Sequence, residues 1–273
     1  MIDEMDYSEE LRVALEAAEK AGEVMDEYQQ GSIEVAERKS GVNDIVTAAD
    51  PECQEEIVET IRENFPEDGF IAEEEELTEE GDRQWVIDPI DGTSNFQKNF
   101  EYFCTSIALK KEGEYVLGVV HSPRSGLDET FFATEGSGAY RVRGIANVEN
   151  AERIEVSDYG VLRGSMMNFG LSSKTEEKPE RDVKFLKDML DTEVTLRDPG
   201  AAALALCKLA EGSFDAFVDY VKEWDFAAGK VIVEEAGGVT RVQESVFEGF
   251  TEVVGSNGYL EGELEERVDR YYS

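Results

Sequence analysis

At 273 residues the chain is long enough for one large or two medium domains, and 41% hydrophobic with 10% aromatic residues is a globular balance. No apolar run approaches the ~18 residues of a membrane span, and the acidic start MIDEMDYSEELRVAL lacks the basic and apolar regions of a secretory signal. Sixty-three acidic against 26 basic residues give a net charge of −37, which repels a phosphate backbone and argues against nucleic acid as a ligand. A small soluble domain usually carries a net charge of magnitude ~2–8. Here the acids are spread in short runs and not gathered in one tail. Molar salt shortens the Debye length to ~3 Å and screens such self-repulsion. The composition therefore suits a salt-accumulating cytoplasm of the haloarchaeal kind, the competing reading being an acidic face for a basic partner. Cys53, Cys104 and Cys207 are odd in number and lack CxxC spacing. They read as free thiols in a reducing cytoplasm, with no zinc site.

Leu11, Leu15, Ala18, Gly22, Met25 and Tyr28 recur at helical spacing and predict an amphipathic helix over about 7–30, closed by Gly31. Residues 34–39 read as a strand and 40–43 as a polar connection. Asp50 precedes Pro51, a favoured first helical residue, and Ile57, Val58, Ile61 and Phe65 form an apolar face behind it, so Asp50 reads as an N-cap. Residues 70–72 form a short strand running into Glu73 and Glu74, and 75–84 an acidic loop. Trp85-Val86-Ile87 is an apolar, β-favouring run that Pro89, lacking a ladder donor, ends just after Asp88. Gly92 permits a tight turn, and Thr93, Ser94 or Asn95 can cap the helical turn after it. Two carboxylates, Asp88 and Asp91, thus stand at a strand mouth ahead of backbone N–H groups. Carboxylates hold hard divalent cations, and amides at a helix start hold phosphate. Alone, the pentapeptide DPIDG is also ordinary turn chemistry.

Residues 103–109, 115–121, 129–133 and 138–142 are β-rich runs separated by Gly113, Pro123 with Gly126, and Gly136, which predicts an antiparallel meander. His121, the only histidine, has no Ser or Cys partner in a recognisable arrangement and reads as structural. An α/β region follows, with strands at 162–168, 193–196 and 214–219, a charged helix at 179–190 and a small-residue helix from Gly200 to about Gly212. Asp225 leads another helix closed by Gly237 and Gly238, as an N-cap or as a ligand. A strand at 251–254 and a terminal helix at 258–272 complete the chain. Residues 1–150, helices plus antiparallel sheet, and 151–273, the second α/β region, are expected to form one catalytic unit.

The string DPIDGTSNF, from Asp88 to Phe96, resembles the signature of the inositol monophosphatase family. That family belongs to the lithium-sensitive, magnesium-dependent superfamily that also holds fructose-1,6-bisphosphatases and 3′-phosphoadenosine nucleotidases. DIVTAAD, ending at Asp50, is similar to the family's DLVTxxD; AEE at Glu73 and Glu74 to its GEE; WDFAAG, containing Asp225, to its WDxAAG. These motifs stand in the family's order, and the likeness runs from about residue 10 to the end. It implies a layered α-β-α-β-α sandwich, a homodimer and a phosphomonoesterase for inositol monophosphate or fructose-1,6-bisphosphate. Alternatives are a 3′-phosphoadenosine-5′-phosphate or NADP-type phosphatase, whose signature more often reads DGTKGF, and a non-enzymatic regulatory binding protein.

By the same resemblance Glu73, Asp88 and the Ile90 carbonyl hold one magnesium ion. Asp88, Asp91 and Asp225 hold a second, and a third, weaker ion has room near Glu73. Glu73 and a Thr93–Asp50 pair orient or deprotonate the attacking water, and the amides of Gly92 and Thr93 cradle the phosphate. Lys39 falls where the family has a mobile-loop lysine, and Gly200, Ala201 and Ala202 lie against the polyol. Asp219 stands where relatives often carry a glutamate. Its shorter side chain, and a spacer to Trp224 one residue shorter than in animal relatives, leave polyol selectivity open.

Overall fold

The computed structural model describes residues 2–31, 35–38, 45–74, 77–171 and 178–272. Two helices come first, α1 (Ser8–Gln29) and α2 (Ala49–Asn64), with a small hairpin of β1 (Val35–Arg38) and β2 (Ile45–Thr47) between them. Next come β3 (Gly69–Ala72), β4 (Thr78–Glu79), β5 (Arg83–Asp91), a short α3 (Thr93–Gln97), β6 (Cys104–Lys111), β7 (Glu114–Ser122), β8 (Glu129–Thr134), β9 (Gly138–Arg143) and β10 (Glu152–Ile154). They make an eight-stranded sheet in the order β10-β9-β8-β7-β6-β5-β3-β4, antiparallel except where β3 pairs with β5.

Side-chain alternation decides what covers each face of this sheet. Trp85, Ile87, Ile107, Leu109, Leu117, Val119 and Phe132 pack with α1 and α2. Their neighbours Val86, Ala108, Val120, Phe131 and Ala133 point the other way, onto α5 (Ala202–Ala210) and α6 (Glu223–Glu235). The second sheet has the order β12-β11-β13-β15-β14, built from β11 (Met166–Phe169), β12 (Thr195–Arg197), β13 (Ala216–Val221), β14 (Val239–Glu244) and β15 (Thr251–Ser256). Phe217, Val221 and Val253 face α5 and α6, whereas Val218, Tyr220 and Val254 face a third core lined by Phe185, Met189, Leu264 and Val268. Those four belong to α4 (Lys178–Asp191) and α7 (Glu261–Tyr272). The result is the expected five-layer α-β-α-β-α sandwich.

Local readings hold for α1, the four-strand meander, α4 and α7 to within a few residues. Three differ. Pro89 does not end β5: the strand runs on to Asp91, and its pairing to β6 steps from Asp88 opposite Ser106 to Asp91 opposite Cys104. A bulge there absorbs the missing donor. Asp50 is not the N-cap of α2, which begins at Ala49, so Asp50 lies in its first turn. Residues 162–165 form a turn, with Ser165 donating to the Leu162 carbonyl, and the strand starts at Met166. His121 is buried, with Nδ1 2.9 Å from Thr130 Oγ1, and burial pushes its imidazole down to about 4. Among the described residues no helix is long and apolar enough to cross a membrane.

Candidate active site

The end of β5 carries the acids. Asp88 is 2% exposed and Asp91 7%. Burial first, then the charges of Glu73, Asp91, Asp225 and Asp50, pushes the Asp88 carboxyl well above the usual carboxylate range. Asp88 Oδ1 is buried and finds no hydrogen-bond donor among the described residues. Such an atom is costly unless a cation or proton meets it.

Asp91 is held differently. Its Oδ1 accepts from the Ala202 amide at 3.1 Å and its Oδ2 from the Ala203 amide at 2.7 Å. Helix α5 has Ala201 at its N-cap, with no side-chain cap of its own, so a carboxylate 111 residues earlier in sequence serves as one. Burial, then the nearby Asp225 charge, pushes Asp91 up to about 8, against the lowering pull of those two amides. The Ala202 and Ala203 amides are thus engaged by Asp91. Gly200 and Ala201 press on the β5 turn instead: a Cβ on Gly92, which sits at φ 88°, would meet the Tyr102 carbonyl at 3.0 Å and Ala201 Cβ at 3.1 Å. Asn95 ties the same segments together, donating to the Tyr102 carbonyl at 2.7 Å and the Pro199 carbonyl at 2.8 Å.

Asp50 reaches the site from α2. It accepts from the Thr47 amide at 2.8 Å, the Thr47 hydroxyl at 2.5 Å and the Thr93 hydroxyl at 3.0 Å. Thr93 Oγ1 also lies 2.9 Å from the Ile90 carbonyl. Burial outweighs the donors and pushes Asp50 up to about 6. Glu73 follows β3, its amide donating to the Ile87 carbonyl of β5 at 3.2 Å, and its charge reaches Asp88. Asp225 is not the N-cap of α6 but its third residue, and its carboxylate turns back to accept from the Lys222 amide at 2.8 Å. The start of α6 is anchored to the first sheet: Glu223 accepts from Lys110 at 2.7 Å and Tyr115 at 2.8 Å, and Ser106 donates to the Trp224 carbonyl.

Asp50, Glu73, Asp88, Asp91 and Asp225 therefore act on one another electrostatically, although no three of the described acidic, His or Cys side chains form a ready-made metal cage. Magnesium needs only one or two carboxylates per ion. Asp219 lies on β13 of the second sheet; one of its oxygens accepts from the Tyr220 amide, and its carboxyl fills the space a side chain on Gly170 would take. Lys39 lies outside the described residues. Thr47, Gln54 and Asn95 escape a reading by motif: Gln54 and Asn95 bond to backbone groups, and Thr47 bonds to Asp50, itself read as a cap. Only the polar type of Thr47 within DIVTAAD and of Asn95 within DGTSNF could have flagged them.

The inositol monophosphatase family model matches residues 6–270. The chain belongs to the inositol monophosphatase family. It is 39% identical over 237 residues, 86% of each chain, to a fructose-1,6-bisphosphatase/inositol-1-monophosphatase of Thermotoga maritima. It is 36% identical, over 84% of this chain and 83% of the relative, to the Nus factor SuhB of Vibrio cholerae. Among solved structures, a Thermotoga maritima IMPase superposes with a TM-score of 0.82 at 34% identity, covering 96% of this chain and 98% of that one. The extragenic suppressor protein suhB of Bartonella henselae gives 0.83 at 30%, covering 95% and 98%. An inositol monophosphatase family member of this kind is a phosphoric monoester hydrolase for a phosphorylated small molecule, and the family is generally magnesium-dependent.

Proposed function

We propose that the chain is a magnesium-dependent phosphomonoesterase acting on inositol monophosphate, fructose-1,6-bisphosphate or both. The observation that carries this is Asp88, a buried carboxylate with one oxygen that meets no donor among the described residues, surrounded by the charges of Glu73, Asp91, Asp225 and Asp50. All-oxygen carboxylate donors suit a hard divalent cation, and an unmatched buried anion fits one. Glu73, Asp88 and the Ile90 carbonyl would hold one ion, and Asp88, Asp91 and Asp225 a second. Bound magnesium would supply Lewis acidity and cancel charge on the phosphoryl oxygens.

The protein's own groups do the rest. Thr93 has one hydroxyl proton to give, and both Asp50 Oδ1 and the Ile90 carbonyl lie within reach to accept it. Its oxygen lone pairs are then left to accept from a water, which Glu73, just past β3, can orient or deprotonate. The Gly92 and Thr93 amides at the start of α3 receive the phosphate. Gly200, Ala201 and Ala202 line the polyol side, with Ala202 limited by its bond to Asp91, and Asp219 and Lys39 are assigned to the substrate as well. A homodimer in a salt-rich cytoplasm completes the proposal, with nucleic acid disfavoured by a net charge of −37.

The SuhB relatives, named as Nus factors, favour a second reading as a regulatory binding protein. A phosphate-release assay with magnesium at molar potassium chloride separates the readings. Release is expected from inositol 1-phosphate or fructose-1,6-bisphosphate, with 3′-phosphoadenosine 5′-phosphate clearly poorer. Release from neither polyol substrate would favour the binding protein, and preference for the nucleotide would overturn the substrate assignment.

A further inference from the structure

Helix α2 presents two side chains one turn apart on the same face, Asp50 and Gln54. Asp50 holds Thr47 and Thr93. Gln54 has no part in the proposed chemistry, yet its side chain is only 8% exposed and both ends are used. Its Nε2 donates to the Glu74 carbonyl at 2.9 Å, and its Oε1 accepts from the Glu74 amide at 2.8 Å. The reverse amide orientation would set donor against donor and acceptor against acceptor, so the geometry fixes it. The Glu74 backbone is clipped as a strand neighbour would clip it, at the point where β3 has ended.

Immediately before it, the Glu73 amide makes the last bond to β5 through the Ile87 carbonyl. Glu73 is therefore pinned on both sides, by β5 at its own amide and by Gln54 at the next residue. Only a side chain carrying both a donor and an acceptor at this reach can do the second job. A carboxylate there would lose the donor and add charge beside Asp50 and Glu74, whose charge Asp50 already feels.

We infer that Gln54 is a positioning residue for the metal site, its carboxamide fixing the backbone at Glu74 and hence the direction in which Glu73 offers its carboxylate. The inference rests on the proposed role of Glu73, and its test keeps the two apart. Magnesium binding is measured by titration calorimetry for the wild type, Gln54→Met, Gln54→Asn (which keeps the amide but falls one methylene short), Glu73→Gln and the core control Ile61→Val. Loss of a group that orients a metal ligand typically weakens binding roughly 10- to 100-fold. That weakening is expected in both Gln54 variants, with KM for substrate at saturating magnesium unchanged and Ile61→Val binding as the wild type does. If Gln54→Met does not accumulate as folded protein, Gln54→Asn carries the test. Wild-type magnesium affinity in the folded Gln54 variants, with Glu73→Gln weakened, overturns the positioning role alone. Wild-type affinity in Glu73→Gln removes the ligand role and the inference with it.

Discussion

Asp88 is where stability and chemistry pull against each other. Its buried Oδ1, which meets no donor among the described residues, is a liability in the metal-free fold and would be an asset with the proposed cation bound. Asp88→Asn should therefore raise the metal-free melting temperature while lowering kcat/KM by roughly 10²–10⁴-fold, the equivalent of losing several kcal/mol of metal stabilisation. Calorimetry and a phosphate assay on one preparation check both; a destabilised or fully active variant would refute this. The pH dependence follows from the same acids. Asp50 at about 6 and Asp91 at about 8 are raised in the fold, so the stability they contribute is complete below the ordinary carboxylate range near pH 4 and is lost as pH rises through those values. His121, lowered to about 4, works the other way, its contribution being lost as pH falls from about 6.5 through 4. Metal-free protein should melt highest at mildly acidic pH. The rise in melting temperature on adding magnesium should be larger at pH 8 than at pH 5, because the cation binds the deprotonated acids. An equal rise at both values would count against the assignment.

At the scale of elements, α6 carries Asp225 and is set by two close approaches. A Cβ on Gly118 of β7 would lie 2.4 Å from the Ala228 carbonyl, and one on Gly229 would lie 2.6 Å from Leu206 of α5. The first obstacle is backbone, so Gly118→Ala must push α6 off the sheet. A cost of about 1–3 kcal/mol is expected for this overpacking, with a fall in melting temperature of ~2–4 °C per kcal/mol and weaker magnesium binding as Asp225 moves. Gly22→Ala, which crowds His121 and Pro123 on the opposite face, should lower the melting temperature and leave magnesium affinity alone. Equal effects on magnesium would show that Asp225 is not the link. Elements with a period and punctuation were legible: alternating β6 to β9 between Gly113, Gly126 and Gly136, and α1 with its apolar stripe. Strand β14 was not, because it is a polar edge strand in which Thr240, Arg241, Gln243 and Glu244 give no apolar alternation. Pro89 reads as a stop because sequence does not reveal a bulge. The motif acids could be found from residue strings. The capping of α5 by Asp91 and the clip of Gln54 on Glu74 could not, since they join distant segments through backbone amides that carry no residue identity.

Over the whole molecule, 63 acids against 26 bases leave a net charge of −37 that no set of local ion pairs can neutralise. The exposed pairs contribute little each, typically below about 1 kcal/mol, and are weakened by salt. Screening of the long-range repulsion should dominate, so the melting temperature should rise steeply between about 0.1 and 1 M potassium chloride at fixed magnesium, a span of Debye lengths from ~10 to ~3 Å. A flat or falling curve would remove the salt-adaptation proposal without touching the active site. The core supports that separation: three apolar clusters of ordinary Leu, Ile, Val and Phe hold the five layers, and the acids lie mainly outside them.

The proposed metal site draws its five acids from α2, the residue just after β3, β5 and α6. Its most direct test is a crystal structure grown with manganese in place of magnesium, read by anomalous difference density. Peaks in contact with Asp88 are expected, one of them shared with Asp91 and Asp225. Fully occupied manganese elsewhere on the protein, with none touching Asp88, would contradict it.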